Sequence, residues 1–222
     1  MKKVTSDSGI VNNDFGDVVF KRRSVRALDP NHKISREEIL QMIASATTAP
    51  SAIDTQPWKF LVVDTDEAKA KLDKVMYMPV DRGRVIASSF SVVIFADTQW
   101  VEDFDEIMQA NAKVSPSFYT PEIVSFLNAR SVEWYEELIA AGELISSISF
   151  QCGLVAMQFI NVVRAHGYEC GAMDDWDKWD ISDHFDIDLK RYTPLICIAV
   201  GKPTGGSDDT MRHEPEEVVV FG

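Results

Sequence analysis

The run Leu195-Ile196-Cys197-Ile198-Ala199-Val200 has no polar residue at any alternate position and stops at Gly201. A strand with one wet face alternates apolar and polar side chains. An unbroken run therefore predicts a strand covered on both faces. Val92-Val93-Ile94-Phe95 reads the same way. Strands of this kind need packed layers above and below them, which a chain of 222 residues can supply as one domain, 1–222.

The covering layers are legible as helices. Asp14 opens a short helix to Phe20, and Ser35-Arg36-Glu37-Glu38 has the spacing of a capping box before the apolar stripe Ile39, Met42, Ile43 and Ala46. Phe60 to Val63 is a further strand ending at Asp64, and Asp66 is expected to cap a helix buried at Leu72, Val75 and Met76. Thr120-Pro121-Glu122 starts a helix with Ile123, Phe126, Leu127, Trp134 and Leu138 on its inner side. Residues 143–166 predict a long helix, apolar on more than one side and stopped by Gly167. Val218–Phe221 is β-prone and suited to pairing with a sheet, that of another subunit included. Helices and strands mix without strict alternation, so the class is α+β.

Charge and cysteine content remove several functions. Lys and Arg total 22 against 35 Asp and Glu, a formal charge of −13. That balance opposes sequence-independent nucleic-acid binding. No apolar run reaches membrane-spanning length, and the N-terminal lysines precede no apolar stretch of the secretory kind. Cys152, Cys170 and Cys197 are odd in number and widely spaced, which fits a reducing, cytoplasmic setting and buried thiols. The crowd of aspartates from Asp174 to Asp188 lacks a calcium-loop order and reads as a solvated face, with no metal expected. His32, His166 and His213 are isolated and read as surface or capping residues.

Three segments could carry chemistry. Lys21-Arg22-Arg23-Ser24-Val25-Arg26 concentrates four basic residues in an acidic chain, which suits phosphate or is a solvated turn. Ala49-Pro50-Ser51-Ala52-Ile53-Asp54-Thr55-Gln56-Pro57-Trp58 is a rigid connection or a polar loop around a heteroaromatic ligand. Gly167-Tyr168-Glu169-Cys170-Gly171-Ala172-Met173-Asp174-Asp175 is a helix stop, or a turn aiming backbone N–H groups at a ligand. No GxGxxG follows a strand and no Gly-x-Ser-x-Gly elbow occurs.

Taken together, these segments resemble the FMN-dependent nitroreductase family. Arg22, Arg23, Ser24 and Arg26 match its Arg-Arg-Ser-x-Arg element. Ala49, Pro50, Ser51, Gln56, Pro57, Trp58 and Phe60 match its Ala-Pro-Ser-x-x-Asn-x-Gln-Pro-Trp-x-Phe element. The likeness runs from about residue 14 to Val200-Gly201-Lys202-Pro203, with Pro215–Val219 similar to the family's closing segment. The resemblance implies a central mixed β-sheet flanked by helices, in an intertwined homodimer whose C-terminal tail reaches the partner. It implies FMN in two interfacial clefts, NADH or NADPH as transient co-substrate, and residues 98–140 as a variable substrate cap behind a flexible arm at 1–13.

Residue by residue, the resemblance places Arg22, Arg23 and Ser24 near the flavin phosphate or pyrimidine edge, and Arg26 as the cation beside N1 and O2. Pro50, Ser51, Ala52, Asp54 and Gln56 would reach the flavin from the second subunit. Met173, Asp174 and Asp175 would bring backbone N–H groups to N5, the atom that carries hydride. Arg212, ahead of Lys202, would hold the phosphate. Asp54 departs from the family's asparagine, and the Asp174-Asp175 pair departs from a pattern richer in glycine. Phe118 and Tyr119, in a loop between prolines, are read as substrate-facing. The implied activity is NAD(P)H-driven, ping-pong reduction of nitroaromatics, quinones or enones. A different reaction on the same fold, dehydrogenation or flavin fragmentation, and a non-catalytic flavin-binding dimer stay open.

Overall fold

The structure is a computed structural model that describes residues 1–222. Its centre is a four-stranded sheet in the order β1 (Trp58–Val63), β2 (Phe90–Asp97), β4 (Tyr192–Gly201), β3 (Glu169–Met173). All three pairings are antiparallel, so the mixed sheet expected from the resemblance is not formed within one chain. The one parallel contact is a single bridge from Ser24 to Cys170 at the β3 edge.

The two unbroken apolar runs are the two inner strands. Every residue of β2 is buried. Val92, Ile94, Ile198 and Val200 enter one core with α2 (Arg36–Ala46), α5 (Phe104–Val114) and α7 (Leu144–Ala165). Val93, Phe95, Cys197 and Ala199 enter a second core on the other face, with α3 (Asp66–Lys74) and α4 (Pro79–Ala87). Alternate side chains of one strand thus serve different cores, which removes the need for any polar face. A register shift between Ile94 and Phe95 skips Leu195 and places Pro194 opposite Phe95.

Local signals set the helix ends. Asp14 caps α1 (Phe15–Lys21) by accepting from the Asp17 N–H. Ser35 caps α2 from the Glu38 N–H. Glu38 does not complete the capping box, because its carboxylate faces His166 Nδ1 at 3.2 Å and accepts from the Tyr168 hydroxyl at 3.1 Å. His166, read as a surface or capping residue, is the C-cap of α7 and is buried, with its Nε2 3.0 Å from Asp7. Thr65 caps α3, one residue before the expected Asp66. Thr120 caps α6 (Pro121–Ala141), and Gly167 ends α7 with φ +80°.

Helix α6 buries Val124, Ser131 and Leu138, a seven-residue spacing. Phe126, expected to pack inward, is 63% exposed because that seam turns it out. Helix α7 is long and apolar enough, by length and composition, to cross a membrane. Here its inner face packs the sheet and α2, while Ile145, Phe150 and Met157 remain exposed. The apolar tail is not a strand of this chain: Pro215–Val218 is a short helix, α8, and Val220 and Phe221 are exposed.

Candidate active site

Three of the motif arginines meet at one cavity. Arg22, Arg23, Ser24 and Arg26 leave α1 and run along the β3 edge, tied by the Val25 N–H to the Cys170 carbonyl at 3.1 Å. They line a cavity of about 250 Å³ together with Arg84, Gly206, Ser207, Asp208, Thr210 and Arg212. Five guanidinium groups and one carboxylate share that lining, and no lining residue is hydrophobic. Such a concentration in a chain of charge −13 is suited to an anion, although Arg23 and Arg26 already pair with Asp209 and Asp208, each at 3.1 Å. Lys202 is elsewhere, donating to the Gly167 carbonyl at 2.8 Å.

Arg84 was not legible as a site residue. It lies on α4, buried, with Nη1 donating to the buried Asp81 carboxylate at 2.7 Å, an i, i+3 pair. Its Nε has no hydrogen-bond partner. Arg84 also lines the arginine cavity, and that lining is what brings its side chain within reach of a ligand. Gly171 makes room for it, since a Cβ there would lie 2.6 Å from Arg84 Nε. Arg26, by contrast, is 73% exposed and pairs with Asp208 at 3.1 Å. Only the spacing of Asp81 and Arg84 behind Pro79 could have signalled the buried pair.

At the end of β3, Met173 is buried while Asp174 and Asp175 are exposed. Lys178 donates to the Asp174 carboxylate. Cys170 is buried, and burial pushes its thiol up to about 12 against the opposing pull of Arg22 and Arg84. It is therefore a packing residue, not a nucleophile.

The second motif forms a separate structure. Ala52–Asp54 is a single 3-10 turn in which Ile53 and Asp54 have positive φ, +45° and +63°, and Gln56 just beyond it has φ +44°. Non-glycine residues in that region each cost on the order of 1–3 kcal/mol, and are kept where the surroundings over-determine them. The ties are visible. Gln151 of α7 accepts from the Ala52 N–H at 3.0 Å and from the Thr55 hydroxyl at 2.9 Å. Ser51 Oγ accepts from the Gln56 N–H at 3.0 Å. Asn111 of α5 donates to Asp54 at 2.8 Å.

Pro50, Ser51 and Ala52 line a groove of about 520 Å³ with Trp134, Leu138, Phe150, Gln151 and Leu154 among its walls. Gln56 opens instead to a neighbouring cavity with Trp58, Lys59 and Tyr192. Neither shares a lining residue with the arginine cavity. Phe118 is exposed and meets Tyr119 edge-on at 4.9 Å between ring centroids. Tyr119 lines a further groove with Gln109 and Asn128, away from Ser51. Within one chain the structure therefore joins the arginines with Ser24 and separates them from the 50–56 loop and from Phe118 and Tyr119.

The CLA biosynthesis enone reductase of Lactiplantibacillus plantarum is 37% identical over 213 residues, covering 96% of each chain. The oxygen-insensitive NAD(P)H nitroreductase of Salmonella typhimurium is 26% identical over 198 residues, covering 85% of this chain and 88% of its own. A chain from Exiguobacterium sibiricum 255-15 solved in complex with FMN superposes with a TM-score of 0.87 at 30% identity, over 95% of this chain and 98% of its own. Residues 19–202 match the sequence model of the Nitroreductase family, and the chain belongs to that family.

Proposed function

We propose that this protein is an FMN-dependent oxidoreductase that takes electrons from NADH or NADPH and delivers them to flat, electron-poor acceptors. The observation that carries the reading is the arginine cavity, which the buried Arg84 lines together with the motif arginines. A terminal phosphate dianion suits a site of five guanidinium groups and a serine hydroxyl. Arg22, Arg23, Ser24, Arg26 and Arg212 would hold it. Arg84, kept rigid by Asp81, fits better than Arg26 as the cation for negative charge on the ring system, because a buried charge is less screened. Bound there, FMN would supply two-electron redox chemistry between the nicotinamide and the acceptor, in ping-pong order.

The chain's own residues then position and exclude water. The strained 50–56 loop opens beside an apolar groove, and the arginine cavity lies apart from it. A cofactor needing both is served by two chains, the loop of one against the arginines of the other. We therefore read the protein as a homodimer. The exposed Ile145 and Met157 of α7, with Phe15 and Phe20 of α1, supply apolar surface for it. Among acceptors, conjugated enones are favoured over nitroaromatics and quinones. The groove walls Trp134, Leu138, Phe150 and Leu154 suit an apolar substrate, and the 37%-identical relative is named an enone reductase. The setting is the reducing cytoplasm.

The test is anaerobic. The purified protein should be yellow, release FMN identified by mass, bleach on adding NADH or NADPH and recolour with an enone. Colour without bleaching would leave a flavin-binding protein with another reaction or none. A preparation that cannot be loaded with FMN ends the reading.

A further inference from the structure

The loop between the two Gln151 ties is the least relaxed backbone in the molecule. Gln151 holds its ends, the Ala52 N–H and the Thr55 hydroxyl. Ile53 and Asp54 lie between them, both with positive φ. Ile53 is exposed at the limit of the turn and has no polar side chain with which to anchor it. That leaves the Asp54 carboxylate, whose one side-chain partner is Asn111 Nδ2 at 2.8 Å. Both residues are half-buried.

Asn111 stands on α5, in the segment whose sequence matches no family motif. An aspartate at position 54 accepts only, so the bond has one possible sense: the Asn111 amide donates. The alternative, an asparagine at 54, could accept or donate and would not select an amide at 111. The pair thus links a feature peculiar to this chain, Asp54, to a residue of its variable segment across 57 positions.

We infer that Asn111 is a positioning residue, whose amide clamps the Asp54 carboxylate and so holds the 51–56 loop of the flavin site in its left-handed shape. The inference rests on the flavin reading above. It makes α5 and the loop one body, so that the variable segment sets the loop's fit to the cofactor. Asn111 need not touch the cofactor to do this.

The experiment measures the FMN dissociation constant and the melting temperature of the flavin-free protein for four chains: parent, Asn111→Ala, Asn111→Asp, and Asn111→Asp with Asp54→Asn. Loss of the charge-assisted bond should weaken FMN about tenfold in Asn111→Ala. Asn111→Asp opposes two carboxylates and should weaken it further. The exchanged pair restores an amide–carboxylate bond of reversed sense and should return FMN affinity to within about threefold of the parent. If Asn111→Asp does not fold, Asn111→Ala decides. FMN affinity within twofold of the parent in Asn111→Ala overturns the inference while leaving the flavin reading intact. So does an exchanged pair that melts like the parent yet binds FMN no better than Asn111→Asp. A parent that takes up no FMN overturns both.

Discussion

Gly171 and Arg84 occupy one space: a Cβ on the glycine would lie 2.6 Å from Arg84 Nε and 2.7 Å from Cδ. The guanidinium is buried there because β3 has no side chain at that point. The glycine needs no unusual backbone angle, as it sits in a regular strand paired to Ala199. Its purpose is space.

Gly171→Ala should therefore displace Arg84 and part it from Asp81. FMN affinity should fall by about one to two decades, the size of one charged hydrogen bond. The measurement is flavin fluorescence during titration of the flavin-free protein. Unchanged affinity would show that Arg84 takes no part in holding the cofactor.

Ending the chain after Glu214 tests the tail. Val218–Phe221 is exposed within one chain, so its removal should cost the isolated fold little. If the tail clasps a partner, sedimentation should show a weaker dimer and FMN should be lost in step with dissociation. A shortened chain with parental dimerisation and FMN content would remove the tail from the interface.

Phe150 projects from α7 into the groove beside Ser51 and is 70% exposed, so its loss should leave the fold intact. Phe150→Ala should raise the acceptor KM about three- to tenfold, the value of one aromatic contact. Bleaching by the nicotinamide should be little altered. Tyr119→Ala serves as the contrast, because Tyr119 faces a different groove. Equal effects of the two would restore the 118–119 loop as the substrate cap.

Acid should destabilise the protein below about pH 4. The Arg36 guanidinium, bonded to Asp64 at 2.5 Å, holds that carboxyl below its ordinary value of 3.8. Burial pushes Asp7 up, but hydrogen bonds from Ser45, His166 and the Gly9 N–H outweigh it and hold it down as well. A carboxyl depressed by folding adds stability above its unfolded value, and the gain is lost as pH falls through its folded value. The melting temperature should be level from pH 7 to 5 and drop beneath the ordinary carboxylate range. Asp64→Asn should flatten part of that drop, and an unchanged profile would show that the pair carries no linkage.

The inner strands and the two family motifs were readable because each rests on local pattern. Val92–Phe95 and Leu195–Val200 are apolar at every position, and a strand between two cores has that signature. Capping at Asp14, Ser35 and Thr120 needs only a side chain within three residues. Phe126 was misplaced because a helical stripe can be drawn through Ile123 and Phe126 or through Val124, Ser131 and Leu138. Only the packing of α6 selects between them. His166 caps α7, as a local reading allows, but its burial was not legible because its partners, Asp7 and Glu38, lie 159 and 128 residues away.

By itself the sequence determined the layered α+β core, the anion-seeking arginine cluster and the turn chemistry of the 50–56 loop. Each follows from residues close together in the chain. The tertiary structure alone decided that Arg84 joins the arginines, that Gly171 clears its space, and that Asn111 and Gln151 hold the strained loop. It also decided that the arginine motif and the 50–56 loop face different cavities. These are meetings of residues far apart in sequence, set by how the helices pack on the two faces of the sheet. No pattern in a single segment encodes which distant side chain arrives opposite a given carboxylate or glycine.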